Sequence, residues 1–118
     1  MEKLGLMGEQ LASKYLIDRG YHILQKNFRT RFGEIDIIAQ KQRTVIFVEV
    51  KARTSDIKGK PYMSVTPRKI AHLKRAIYSF ILKNNLSDHK LRFDVISIEF
   101  TENHVPQIRH FESVDLLV

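Results

Sequence analysis

Apolar residues recur along this chain with two different periods, and the changes of period mark its elements. From Leu4 to Arg19 they fall at Leu4, Met7, Leu11 and Tyr15, steps of three and four that predict a helix stopped by Gly20. Gly5, Gly8 and Ala12 make part of that helix small-sided. Each glycine costs a helix about 1 kcal/mol against alanine, so two of them point to close approach of a neighbouring element, with Glu9 carried beside it. A strand is expected from Tyr21 to about Phe28, followed by a basic turn from Arg29 to Gly33. Two runs rich in isoleucine and valine, about Glu34–Ala39 and Val45–Ala52, read as a hairpin. Thr54 to Val65, with Gly59 and Pro61, reads as a loop. Thr66 and Pro67 then open a second helix as N-cap and first helical residue. Its buried stripe is Ile70, Leu73, Ile77 and Phe80, with Arg68, His72 and Arg75 exposed. Leu91 to Phe100 is apolar enough for an interior strand, and Pro106 confines Val105–Phe111 to a sheet edge. The order αβββαβ, with a last short strand, predicts a single α/β domain over residues 1–118. An early meander and a helical crossover give one mixed sheet flanked by helices.

Three charges interrupt the hairpin strands: Asp36, Glu49 and Lys51. A turn centred on Gln42 and Arg43 puts Asp36 opposite Glu49, with Cβ atoms about 4.5–5.5 Å apart, and Glu34 opposite Lys51. Val45 and Phe47 share the face of Glu49, and Ile38 that of Asp36, so these carboxylates have apolar company rather than a wet face. A one-residue slip would separate them onto opposite faces. Facing carboxylates repel, and a divalent cation beside the ammonium of Lys51 is the compensation that suits them.

Composition narrows the chemistry. The absence of cysteine excludes disulfides, thiol catalysis and cysteine-ligated metals. With neither a signal-peptide stretch nor a run near the roughly 20 apolar residues that span a bilayer, a cytoplasmic protein with no membrane association is expected. Between Lys51 and Arg75 lie eight lysines and arginines against the single acid Asp56. The whole net charge of +7 therefore sits in that window, and the rest of the chain balances. A basic block next to a carboxylate pair suits a polyanion whose backbone must approach a metal. The five histidines show no His-x-x-x-His pairing, so zinc catalysis is not expected; His72 alone lies on the basic side. Asp94 beside Arg92 reads as a structural salt bridge, and Phe32 and Tyr62 are aromatic groups able to stack on bases.

Taken together, helix-borne Glu9, then Gly33-Glu34-Ile35-Asp36, then Glu49-Val50-Lys51, in αβββαβ order, resemble the PD-(D/E)XK nuclease superfamily. The chain is more closely similar to the YraN-like family of small bacterial proteins. Patterns like Gly8-Glu9 with Ala12, Gly20-Tyr21, Asn27, Gly33-Glu34-Ile35-Asp36, Val48-Glu49-Val50-Lys51 with Arg53, and Arg92-Phe93-Asp94-Val95 recur there in this order. The superfamily neighbours include archaeal-type Holliday-junction resolvases. The resemblance implies a restriction-endonuclease-like core, metal ligation by Asp36 and Glu49, a catalytic role for Lys51 and a supporting acid at Glu9. Ile35 stands where many nucleases of the superfamily have proline, and no resolvase loop serine aligns with Arg29–Phe32, which leaves junction cleavage open.

Phosphodiester hydrolysis needs a hydroxide near neutral pH and relief of charge on the phosphate, and Mg²⁺ or Mn²⁺ supplies both. The ligands would be Asp36, Glu49 and the carbonyl of Val50. Lys51 would orient the water and neutralise the phosphate. Arg53, Lys58 and Lys60, with Arg68, Lys69, His72 and Arg75, would grip backbone phosphates without reading bases. The expectation is a metal-dependent, structure-selective endonuclease acting on DNA, and a homodimer if a two-fold junction is cut symmetrically. Its rivals are a non-catalytic nucleic-acid-binding module on the same fold and an interaction domain whose basic face takes an acidic protein.

Overall fold

The computed structural model describes residues 2–54, 66–102 and 105–116, with side chains from residue 4 onward. The elements are α1 (Glu2–Asp18), β1 (His22–Thr30), β2 (Gly33–Lys41), β3 (Thr44–Thr54), α2 (Pro67–Lys83), β4 (Lys90–Phe100) and β5 (Gln107–Phe111). They build one sheet in the order β1-β2-β3-β4-β5. The first three strands form an antiparallel meander. The crossover through α2 lays β4 parallel to β3, from Thr44↔Lys90 to Thr54↔Phe100, and β5 closes the far edge antiparallel. This is the mixed sheet expected, with the proline-containing segment at its edge. Each face has its own core. On one, Phe28, Ile35, Ile38, Phe47 and Val95 pack with Ala76, Ile77 and Phe80 of α2. On the other, Ile37, Ile46, Val48 and Ile96 pack with Ala12 and Leu16 of α1.

Gly20, at φ 89°, ends α1: its amide bonds to Ile17 O and that of Tyr21 to Leu16 O, the paired bonds of a left-handed helix stop. The row facing the sheet is Gly8, Ala12 and Leu16, whereas Met7, expected in the stripe, is exposed. The reason is proximity. A Cβ added to Gly8 would sit 2.8 Å from Ala52 Cβ on β3, so small residues take the contact and the large ones are displaced to the flank. Gly5 meets nothing within 4 Å and makes no such approach. The two glycines should therefore answer oppositely to alanine. Gly5→Ala is expected to stabilise by about 0.5–1 kcal/mol through helix propensity. Gly8→Ala should destabilise, because overpacking costs about 1–3 kcal/mol. Urea titrations of the two variants check this, and equal signs would refute the contact.

At the start of α2, Thr66 Oγ1 accepts the Lys69 N–H at 3.2 Å and Pro67 is the first helical residue. Its buried face is Ala76, Ile77, Phe80 and Ile81, while Ile70 and Leu73 are half-buried.

Asp94 is fully buried, well beyond the salt bridge expected of it. Arg92 Nε and Nη2 donate to its two oxygens at 2.9 and 2.8 Å, Ser113 N–H donates at 3.1 Å, and His110 Nε2 lies 2.6 Å away. Arg92 Nη2 also donates to Tyr21 Oη at 2.7 Å, and His110 Nδ1 meets Tyr15 Oη at 3.2 Å. The network clips β5 and the segment after it to β4 and to α1. Burial pushes the Asp94 carboxyl up, but the bonds from His110, Arg92 and Ser113 outweigh it and hold it below the usual carboxylate value.

Candidate active site

The β2–β3 hairpin turns at Gln42 (φ 56°) and Arg43, and pairs Lys41 with Thr44 through to Ile37 with Val48. This is the register expected, and its next step brings Asp36 to Glu49. There the regular ladder gives way to side-chain bonding. Asp36 Oδ2 accepts the Val50 N–H at 2.8 Å, and its carboxyl hydrogen-bonds to that of Glu49. A carboxyl so placed is costly to ionise. Burial first, then Glu49, pushes Asp36 up to about 8, against the opposing pull of Val50 N–H and Lys51. Lys51 Nζ lies 3.9 Å from Glu49 Oε2. Its expected partner Glu34 instead faces β1, 3.5 Å from Arg29 Nε, because Arg29 is its neighbour in that ladder.

Strand β2 turns over at this point. Ile35 joins the α2-side core and Ile37 the α1-side core, although a regular strand would point both the same way. Across from Asp36, between the pairs Lys26↔Ile37 and Phe28↔Ile35, Asn27 adopts φ 52°, a left-handed conformation that asparagine tolerates better than most residues. Its side chain hydrogen-bonds to Glu9, which the Gly8–Ala52 contact has brought to the sheet. Burial, and then the charge of Asp36, push the Glu9 carboxyl up, and Asn27 opposes them. The fold thus gathers Glu9, Asp36, Glu49 and Lys51 at one place, with Asn27 as an added member. A strand asparagine that must turn left-handed leaves no mark in hydrophobic periodicity, which is why only the family pattern singled it out.

Among the described residues, no group of three or more His, Asp or Glu side chains converges tightly enough to form a full metal-binding set. The donors on offer are the Asp36–Glu49 pair and the main chain at Val50. Such a sparse set fits Mg²⁺, which takes one or two carboxylates and keeps several waters.

The metal-free stability should report the raised carboxyl of Asp36. A carboxyl whose folded pKa is raised lends stability that is full below its ordinary value of 3.8 and is lost as pH rises through about 8. Melting in EDTA across that window should show the decline. Asp36→Asn should remove it and melt higher than wild type at pH 8. A large loss of melting temperature in that variant would mark Asp36 as structural.

The expected phosphate grip divides. Arg53 is not available: its side chain is 12% exposed and its Nη2 lies 3.3 Å from Glu99 Oε1, the residue beside it on β4. Lys58, Lys60 and Tyr62 lie outside the described residues. Arg68, Lys69 and Arg75 are exposed on α2. His72, expected to be exposed, is half-buried, because it turns into a crevice of about 120 Å³ that Lys69, Phe32, Glu34 and Glu49 also line.

A mixed five-stranded sheet with one helix on each face, and a carboxylate pair where its hairpin frays, is an α/β fold consistent with a restriction-endonuclease-like core. The model of the Uncharacterised protein family UPF0102 matches residues 8–98, a span holding every described site residue. The chain belongs to that family, the YraN-like proteins. It is 44% identical to a UPF0102 protein of Syntrophomonas wolfei, over 92% of this chain and 93% of the relative. It is likewise 44% identical to one of Alkaliphilus oremlandii, over 95% and 97%. A third, from Geobacter metallireducens, is 46% identical over 92% and 88%. No helix among the described residues is long and apolar enough to cross a membrane.

Proposed function

We propose that this protein is a metal-dependent endonuclease that hydrolyses phosphodiester bonds in DNA, selecting branched or otherwise distorted structures as resolvases do. One observation carries it: the Asp36 carboxyl is held against that of Glu49, whose Oε2 lies 3.9 Å from the Lys51 ammonium, in a partly buried site. A pair so costly to keep together is a hallmark of functional sites. Asp36, Glu49 and the main chain of Val50 would hold Mg²⁺ or Mn²⁺. Bound there, the ion would lower the pKa of a water and draw charge from the phosphate oxygens. Lys51 presents its N–H donors to a non-bridging oxygen as negative charge builds on it. Glu9, steadied by Asn27, accepts a hydrogen bond from the attacking water. As that water's oxygen forms the new bond to phosphorus, one of its protons passes to Glu9; the P–O bond to the departing sugar breaks, and the leaving oxygen takes a proton from solvent water. Two copies of the chain would be needed to cut a four-way junction symmetrically.

Incubation with duplex, single-stranded, flap and four-way-junction DNA, in Mg²⁺, Mn²⁺ or EDTA, tests this directly. Metal-dependent cuts, strongest on a branched substrate, are expected. Salt-sensitive binding with no cutting would instead make it a binding module. Calorimetry should find Mn²⁺ weak alone and tighter with a non-cleavable DNA, since phosphate oxygens complete the shell. No Mn²⁺ uptake even then would count decisively against the carboxylate pair as a metal site.

A further inference from the structure

Two arginines from different elements meet over one ring. Arg31, in the β1–β2 turn, has its guanidinium carbon 5.0 Å from the centre of the Phe32 ring, and Arg75, on α2, has its own at 5.1 Å. Most other arginines here are occupied: Arg29 with Glu34, Arg43 with Asp88, Arg53 with Glu99 and Arg92 with Asp94. No described carboxylate pairs with Arg31 or Arg75. Two cations held at one ring with no carboxylate partner concentrate positive charge there, and a phosphate at the ring would offset it. Stacking fixes the plane of a guanidinium and leaves its N–H edge free, the presentation that suits a phosphate. The mount itself is firm, because Thr30 Oγ1 accepts both the Phe32 and Gly33 amides, at 3.0 and 3.2 Å.

Phe32 also lines the crevice beside the two arginines, whose own polar lining is Lys69, His72, Glu34 and Glu49. Its volume of about 120 Å³ equals roughly four waters at about 30 Å³ each. That is room for a phosphate group and too little for a nucleoside.

We propose that Arg31 and Arg75, mounted on Phe32, form with Lys69 and His72 a phosphate subsite that grips the backbone phosphate next to the one being cleaved. The inference rests on the nuclease reading above and deepens it. The subsite reads no base, and it brings the β1–β2 turn into the substrate's path.

The test is the salt dependence of binding to a fluorescent four-way junction and a duplex, in EDTA so that nothing is cut. Each phosphate contact contributes about 0.9 to the log–log slope on B-form DNA. R31Q/R75Q should therefore flatten the slope by about 1.8, while the charge-matched K14Q/K90Q, with one site on α1 and one at the far end of β4, should change it by less than half of that. Phe32→Leu keeps both charges and should keep the slope, yet bind about 5- to 150-fold more weakly, because two arginine side chains no longer held on the ring must be ordered on binding. Equal flattening by the two double variants, or wild-type affinity in Phe32→Leu, overturns the subsite and leaves the nuclease reading standing. A wild type with no salt-dependent affinity for either DNA overturns both.

Discussion

Lys51→Ala is expected to lower metal-dependent cleavage by at least about a hundredfold while changing DNA affinity far less. The ammonium stands 3.9 Å from Glu49, where charge would accumulate during hydrolysis, whereas on the proposed reading binding would be shared with Arg31, Arg68, Lys69 and Arg75. Charge-stabilising and proton-transferring groups each typically contribute on the order of 10²–10³ in rate. Single-turnover rates, measured beside filter-binding constants, separate the two quantities. Asp36→Asn must be purified in parallel, since a trace of contaminating nuclease would survive both substitutions. Cutting that persists equally in both variants would defeat the catalytic role of this site.

Asp94→Ala should be the most damaging change to stability, costing about 3–5 kcal/mol, the usual toll of removing one partner of a buried ion pair. It would strand Arg92 without its two-pronged acceptor, and leave His110 and the Ser113 amide without theirs. Denaturant titration measures the loss, and a cost under about 1 kcal/mol would show the network to be incidental. Acid should act on the same bond set. Because the folded pKa of Asp94 is depressed, its contribution is present above the ordinary value of 3.8 and is lost as pH falls through the lower folded value. The acid limb of the wild-type stability curve should therefore be steeper than that of Asp94→Ala.

Local chemistry made much of this legible in advance. The isoleucine- and valine-rich runs, a two-residue turn and Thr66-Pro67 place the hairpin and the second helix, and the hairpin register alone brings Asp36 to Glu49. What escaped depends on partners far away in the chain. Arg53 looks like a free cation until the parallel crossover sets Glu99 beside it. Asp94 looks like a strand-end acid until β5 delivers His110. Helix α1 misleads for a different reason: Gly8, which makes its closest contact with the sheet, carries no hydrophobic signal, so the apolar stripe read from the sequence runs through the exposed Met7.

The parallel pairing of β3 with β4 also bears on how such a protein is made. Glu9, Asp36, Glu49 and Lys51 all precede α2, so a ribosome has synthesised every one of them before β4 exists. Until β4 arrives, β3 has one bare edge, and the run Val45-Ile46-Phe47-Val48 is the kind of apolar, β-branched segment that recruits other chains. Closing the sheet across the whole of α2 is a non-local step, slow compared with forming the hairpin. A nascent chain is therefore most prone to aggregate in the interval that ends when β4 docks, with its whole candidate site already made.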